Sequence, residues 1–243
     1  MEEIVVASLP QYLDAVFGIT PASSGAFFRG VKDADNHRLI SKAGRLFLSQ
    51  YQPNGWSWAK YWPNVAAKMQ QFADKLASFP DHDPTDVYET WALAQHYGFP
   101  TCFMDWTLNP LVALFFAIDE RGESRPLAQR GDAAVYCCDD PGIRIFRPKS
   151  SNPPDLQATD EIFCYAPRHI SKRITAQAGI FTYHPKGEVE FAPKKPLTRF
   201  RIPNANRREI LVELSKCGVD DHFIYQDLDG LGSTLFYVLG GLG

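Results

Sequence analysis

Three short segments of the chain concentrate side chains that could bind or transform a polar ligand. The first is Phe27-Phe28-Arg29-Gly30. A guanidinium presents five N–H donors in a rigid planar fork, the shape that reads a phosphate or a ribose edge. A glycine beside it lets a ligand come close to the backbone. An arginine paired with a core carboxylate is the structural alternative. The second segment runs from Gln95 to Pro110 and holds His96, Tyr97, Gly98, Thr101, Asp105, Trp106, Thr107 and Asn109. A connection this rich in large functional groups has the character of a binding loop. His96 could serve as a general base or a donor, and Tyr97 could stack on a planar ring. A His–Tyr pair that only closes a helix end is the alternative. Asp105 could line a pocket, although its commoner use is to accept from the amides of a turn. The third segment, Arg173 to Phe181, leads through small residues into a strand. Gln177 at the strand entrance could face a cleft; a turn with a packing glycine is the alternative.

The elements that must position these side chains read more clearly as helices than as strands. Val65, Met69, Phe72, Ala73, Leu76 and Phe79 step by three and four, which predicts an amphipathic helix ending before Pro80. Asp86, with Glu89 three residues on, predicts a capped helix that Gly98 closes. Asn109-Pro110 predicts the cap and first position of a third helix, apolar nearly all round and therefore central and buried. A fourth is expected over 206–216. Strands are expected at 26–29, 133–138, 162–165, 179–183 and 198–202, the last with period-2 alternation. Early helices and late strands predict an α+β fold: a helix-rich N-terminal half, and a mixed or antiparallel sheet built largely from the C-terminal half. Prolines and glycines punctuate loops at 52–55, 79–84, 122–131, 149–155 and 186–196, none of which reads as a clear linker. One domain over residues 1–243 is expected.

The chain is 45% hydrophobic and 22% charged over 243 residues, which excludes wholesale disorder and collagen-like structure. Its longest apolar run, 111–118, falls far short of the roughly 20 residues that cross a bilayer. The acidic start Met1-Glu2-Glu3 is unlike an export signal, and the five cysteines form no C-x-x-C pair. These features predict a cytoplasmic protein with no metal and no membrane partner. The net charge of −3 conceals an asymmetry: residues 144–216 carry 14 Lys/Arg against 7 Asp/Glu, and the remainder 11 against 21. A basic third including Arg168, His169, Lys172, Arg173, Lys194, Lys195, Arg199, Arg201, Arg207 and Arg208 could guide a phosphate-bearing partner, although solvation alone also accounts for it. No RNA-binding fingerprint or helix-turn-helix pattern accompanies it.

Taken together, the Phe-Arg-Gly triplet, the run His96-Tyr97-Gly98-Phe99-Pro100-Thr101 leading into Asp105-Trp106-Thr107 and the apolar helix, and the later Ala176-Gln177-Ala178-Gly179-Ile180-Phe181 resemble the FRG-domain family. The resemblance covers about 27–184, and the C-terminal helix and tail over 204–243 also look like family sequence, chiefly at 209–231. The family is bacterial and phage-associated and is largely described without an assigned activity. It usually carries an arginine after Pro-Thr, where this chain has Cys102. A weaker similarity links the aromatic-Arg-Gly triplet to the arginine-type ADP-ribosyltransferases. That similarity implies an ADP-ribosyltransferase-like fold and NAD as substrate. Phe28, Arg29 and Gly30 would anchor the dinucleotide, with Gly98, Thr101 and Asp105 beside it and Tyr97 or Phe181 stacked on the nicotinamide. Arg29, His96, Gln177 and Glu190 would form the catalytic set. The late carboxylate stays open among Glu188, Glu190, Glu209 and none, and Thr101 or Thr107 would stand in for a missing Ser-Thr-Ser element. The implied product is a modified macromolecule, with a nucleic acid or protein as acceptor. A toxin or phage-defence effector with a cognate antitoxin would fit. Two other readings are open: a non-catalytic nucleotide- or nucleic-acid-binding module, and a hydrolase or nuclease using His96 and Asp105.

Overall fold

A computed structural model describes residues 1–20, 25–79, 84, 86–121, 126, 129–150, 153–168 and 175–240, the last five of these as backbone. In chain order the elements are β1 (Glu2–Val5), α1 (Leu9–Ile19), β2 (Phe27–Val31), α2 (Lys42–Leu46), α3 (Trp58–Leu76), α4 (Val87–His96), β3 (Phe103–Thr107), α5 (Pro110–Ile118), β4 (Ala133–Cys138), β5 (Ile145–Phe146), β6 (Phe163–Tyr165), β7 (Gly179–Tyr183), β8 (Thr198–Ile202), α6 (Arg207–Lys216), α7 (Asp221–Tyr225) and α8 (Leu228–Gly240). A π-turn (Phe47–Tyr51) and a 3-10 turn (Gln52–Asn54) join α2 to α3.

The caps explain where the helices that frame the site begin. The Asp86 carboxylate accepts from Glu89 N at 2.8 Å, and the Asn109 Oδ1 accepts from Leu111 N at 2.9 Å ahead of Pro110. The Glu89 side chain does not complete a capping box. It is fully buried and takes both Nε (2.8 Å) and Nη2 (2.9 Å) of Arg168. Gly98, at φ +87°, ends α4 as its lack of a side chain permits. The α3 helix starts earlier than its apolar spacing suggests, at the Ser57 cap. The expected loop at 79–84 lies mostly outside the described residues.

All eight strands join one mixed sheet in the order β1-β8-β4-β2-β3-β7-β6-β5. The fold is α+β, but the sheet draws on both halves of the chain. Its two central strands, β2 and β3, come from the first half, and β1 lies at one edge, parallel to β8. Residues 103–107 extend a stretch that reads as loop in the sequence. Phe103, Met104, Trp106 and Thr107 are all buried because both faces of the sheet are covered there, so no apolar–polar alternation marks the strand.

The helices divide one face of the sheet between two cores. Under α1, α5 and α6, residues such as Tyr12, Phe28, Phe115, Val135, Phe200 and Leu214 pack together. Under α2, α3 and α4, a second cluster gathers Tyr61, Trp91, Phe103, Phe163, Phe181 and Tyr183. The opposite face, with Phe27, Trp106, Tyr136 and Ile180, is closed by chain segments that contribute Leu39, Phe191 and Leu197. Where the two helix-covered cores meet, the sheet itself is weakly joined. β2 pairs with β4 over five residues and β3 pairs with β7 over five, yet β2 and β3 share the single pair Phe28↔Thr107.

Candidate functional site

Beyond that one pair the central strands part, and the side chain of Arg29 enters the gap. Its Nη1 donates to the main-chain oxygen of Asp105 at 2.5 Å and lies 3.9 Å from Asp105 Oδ2. The arginine side chain is 14% exposed and its Nε has no partner; the Asp105 side chain is 57% exposed. An exposed carboxylate at mid-strand in the centre of an eight-stranded sheet marks an uncovered seam between the two helical layers. Asp105 thus supplies a carboxylate to the surface of the fold. Thr107 does the work at the turn, accepting from Asn109 N at 3.0 Å and donating to Gln177 O at 2.6 Å.

A short relay fixes the Asp105 carboxylate. Phe103 N donates to Thr101 Oγ1 (3.0 Å), Thr101 Oγ1 donates to Gln95 Oε1 (2.7 Å), and Gln95 Nε2 donates to Asp105 Oδ2 (3.0 Å). Because the hydroxyl gives its proton to Gln95 Oε1, the amide must turn its NH2 to Asp105. Gln95 and the buried Thr101 thereby position the carboxylate.

The electrostatics of the seam are dominated by cations. Arg45 on α2 lies near enough to Arg29 and Asp105 for their charges to act on one another, and its own Nη1 is held by Ile40 O. Burial is the main influence lowering the proton affinity of both guanidiniums, and Asp105 opposes it. Two histidines face the same positive charge. Burial, with Arg29 and Arg45 adding to it, takes His37 down to about 4. Burial and Arg29 take His184 down to about 3. Trp106 Nε1 donates to Thr182 Oγ1 at 2.8 Å, and Thr182 Oγ1 is in turn hydrogen-bonded to His184 Nε2, also at 2.8 Å. With the hydroxyl as donor in the second bond, the imidazole is the neutral Nδ1–H tautomer. Neither histidine, nor Arg45, stands out in the sequence, and Gln95 figures there only as the first residue of the second segment. Each comes from a different element, and only the seam brings them together.

The other residues singled out from the sequence fall elsewhere. Gly30 is packed against a helix: a Cβ there would stand 2.0 Å from Ala113 O and 2.6 Å from Ala117 N of α5. Phe28 is core under α5, and Phe181 is core on the other side, stacked on Phe103 at 5.6 Å. Gln177 donates to Ile224 O at 3.1 Å. Glu190 holds Arg38 Nε (3.2 Å) and Leu39 N (3.2 Å). Glu188 carries a buried Oε2 without a partner and lies near Cys102, whose thiol is pushed far up by burial. Glu209 sits in the first turn of α6. His96 and Tyr97 meet edge-to-face at 5.2 Å at the end of α4, where Tyr97 is 59% exposed. Gly98 O accepts from Lys42 Nζ at 2.5 Å.

The basic third of the chain is largely engaged within the molecule. Arg144 pairs with Glu161, Arg168 with Glu89, Lys195 with Asp139, Arg199 with Glu3, and Arg201 with Asp35 and Asp132. Arg207 is buried on the carbonyls of Lys32 and Gly131. His169, Lys172 and Arg173 lie outside the described residues. A cavity of about 290 Å³ lies at the far end of α5, among Phe115, Asp119, Arg121, Leu211, Asp221 and Ser233, and none of the candidates above lines it. Among the described residues no three His, Cys, Asp or Glu side chains gather as a metal site, and no helix is long and apolar enough to cross a membrane.

The elements that build the seam, from β2 through α5, lie in residues 24–125, and that stretch matches the family model of the FRG domain. This segment is an FRG domain. Within the FRG domain, the Arg29 of the triplet fills the strand gap, its Gly30 admits α5, and the later Asp105 caps the seam. No curated protein and no solved structure matches the chain.

Proposed function

We propose that the FRG domain binds a phosphate-bearing nucleotide at the seam between β2 and β3, with NAD as the candidate ligand. One observation carries this reading. A largely buried arginine, anchored through one nitrogen and with its Nε unpartnered, stands beside a second anchored arginine and an exposed carboxylate. Two guanidiniums suit the two phosphates of a dinucleotide. A carboxylate in the same cleft suits a ribose hydroxyl, and it would stabilise the positive charge that grows on the ribose as the bond to nicotinamide breaks. In this reading Asp105 takes the role that the resemblance offers to a late glutamate, because Glu190 and Gln177 are committed to structural bonds elsewhere. Transfer of ADP-ribose to a macromolecular acceptor would follow as attack on the ribose carbon that loses nicotinamide.

The test is calorimetric titration of the full chain with NAD, alongside chromatographic measurement of nicotinamide release in the presence of cell lysate. Binding that falls tenfold or more in Arg29→Ala supports the site. Release abolished in Asp105→Asn with binding retained supports the reaction. Binding without release reduces the protein to a nucleotide-binding module. Absence of binding refutes the proposal.

A further inference from the structure

His37 occupies an unusual position beside the seam. It ends a turn built by Asp33, whose carboxylate takes Asp35 N (3.1 Å) and Asn36 N (2.9 Å). The imidazole Nε2 is buried without a hydrogen-bond partner. The charged groups that act on the ring come from four places: Arg29 on β2, Arg45 on α2, Asp33 in its own turn and Glu190 ahead of β8. The two acids are already spent, Asp33 on its turn and Glu190 on Arg38 and Leu39 N. The two cations each rest on a carbonyl and keep donors to spare. A buried ring nitrogen with nothing to bond costs free energy. A ligand that accepts from the arginines is the natural partner for it.

We infer that His37 is a ligand-binding residue of the seam, and that an anion entering between Arg29 and Arg45 brings a proton onto its imidazole. This rests on the nucleotide-binding reading. Without ligand, burial and the two guanidiniums keep the ring neutral. A bound pyrophosphate reverses the Coulombic part: it neutralises the two arginines and offers the ring an acceptor. Protonation makes both ring nitrogens charged donors, so Nε2 can donate to the anion and proton and ligand bind together. The balance is simple: one proton leaves the solvent and adds to the bare nitrogen of the neutral ring, with no other bond made or broken. His184 also faces Arg29, but its Nε2 is already hydrogen-bonded to Thr182 Oγ1. NAD is the suitable probe because its internal pyrophosphate stays fully ionised between pH 5 and 8 and so contributes no proton change of its own.

The experiment is titration calorimetry with NAD at pH 5.5 in acetate and in MES, whose ionisation heats differ. The expected result is an uptake approaching one proton, and an affinity that rises by up to about tenfold per unit fall in pH between roughly 7 and 5.5. In His37→Gln the uptake disappears and the pH dependence flattens, whereas His184→Gln retains both. Equal heats in the two buffers for wild-type protein that does bind NAD would overturn the role of His37 while leaving the nucleotide site standing. Uptake that persists in His37→Gln overturns it equally. No binding at any pH defeats the nucleotide reading, and the inference with it.

Discussion

Replacing Gly30 by alanine tests the central packing of the fold with a single methyl group. The added Cβ would lie 2.0 Å from the carbonyl oxygen of Ala113, 2.6 Å from Ala117 N and 3.1 Å from Ala113 C. All three are backbone atoms of a helix whose Val112, Ala113, Leu114, Phe115, Ala117 and Ile118 are buried, so no side chain can swing aside. Relief requires α5 to lift from β2 by at least ~1 Å, and a gap of that size forfeits about a quarter to a half of each dispersion contact across the interface. With ~40–60 such contacts for each large buried side chain at ~0.1–0.2 kcal/mol, the loss spans about 1–6 kcal/mol and centres on ~3 kcal/mol, at the upper end of the ordinary 1–3 kcal/mol for overpacking. At ~2–4 °C per kcal/mol for a chain of this size, the melting temperature should fall by roughly 6–12 °C. Urea denaturation followed by circular dichroism measures the change. Gly18→Ala is the control: nothing lies within 4 Å of a Cβ there, and in the last turn of α1 alanine should stabilise by up to about 0.5–1 kcal/mol. A Gly30→Ala protein within ~1 kcal/mol of wild type would show that the helix does not sit on that strand as described.

The buried histidines should make folding acid-sensitive. The unfolded chain protonates His37 and His184 near 6.5, whereas the folded protein resists until about 4 and about 3, so the unfolded state binds more protons and stability falls as pH drops from 6.5 towards 4. The two together contribute a slope of about 2.4 kcal/mol per pH unit near pH 5.5; a His184→Gln slope that is not close to half the wild-type value would contradict the assignment. Thr101→Val keeps the shape of a fully buried side chain but strands Phe103 N and Gln95 Oε1, at a cost of about 1–3 kcal/mol that Thr101→Ser should largely avoid. Of the five thiols, only Cys217 is exposed, and burial pushes Cys137, Cys138 and Cys164 up to about 12. A disulfide reagent should therefore titrate one thiol per native chain and five after unfolding; rapid modification of more than one in the native state would refute this burial.

Much of the fold was legible because local chemistry and tertiary structure agree. Asp86 and Asn109 cap the helices that their spacing announces, and β4, β7 and β8 begin and end at the residues expected from composition. The failures share a cause. β3 is buried on both faces but for Asp105, so its side chains do not alternate, and Asp105 looked like a turn residue. β1 is four residues long and acquires its meaning only from β8. At the site, Arg29 and Asp105 were visible as residue types, whereas their meeting depends on a strand pairing that stops after one residue pair. Gly30 was legible as a close approach, but composition does not say that the visitor is a helix. The charge asymmetry dissolved for a similar reason: the acids that answer Arg199 and Arg201 are Glu3, Asp35 and Asp132, far away in sequence.

The pairing of β1 with β8 also sets a clock on biosynthesis. Glu2 faces Thr198, so β1 has no ladder partner until β8 has been polymerised. At ~5–20 residues per second the wait is roughly 10–40 s. The central strands face a shorter form of the same delay, since β2 needs β4 and β3 needs β7, and both partners lie beyond residue 125 where the FRG match ends. The nascent segment therefore carries open ladder edges on both flanks while it leaves the ribosome. Such edges invite pairing with other chains, so early release or truncation after the FRG match should yield aggregating fragments in place of a smaller working domain.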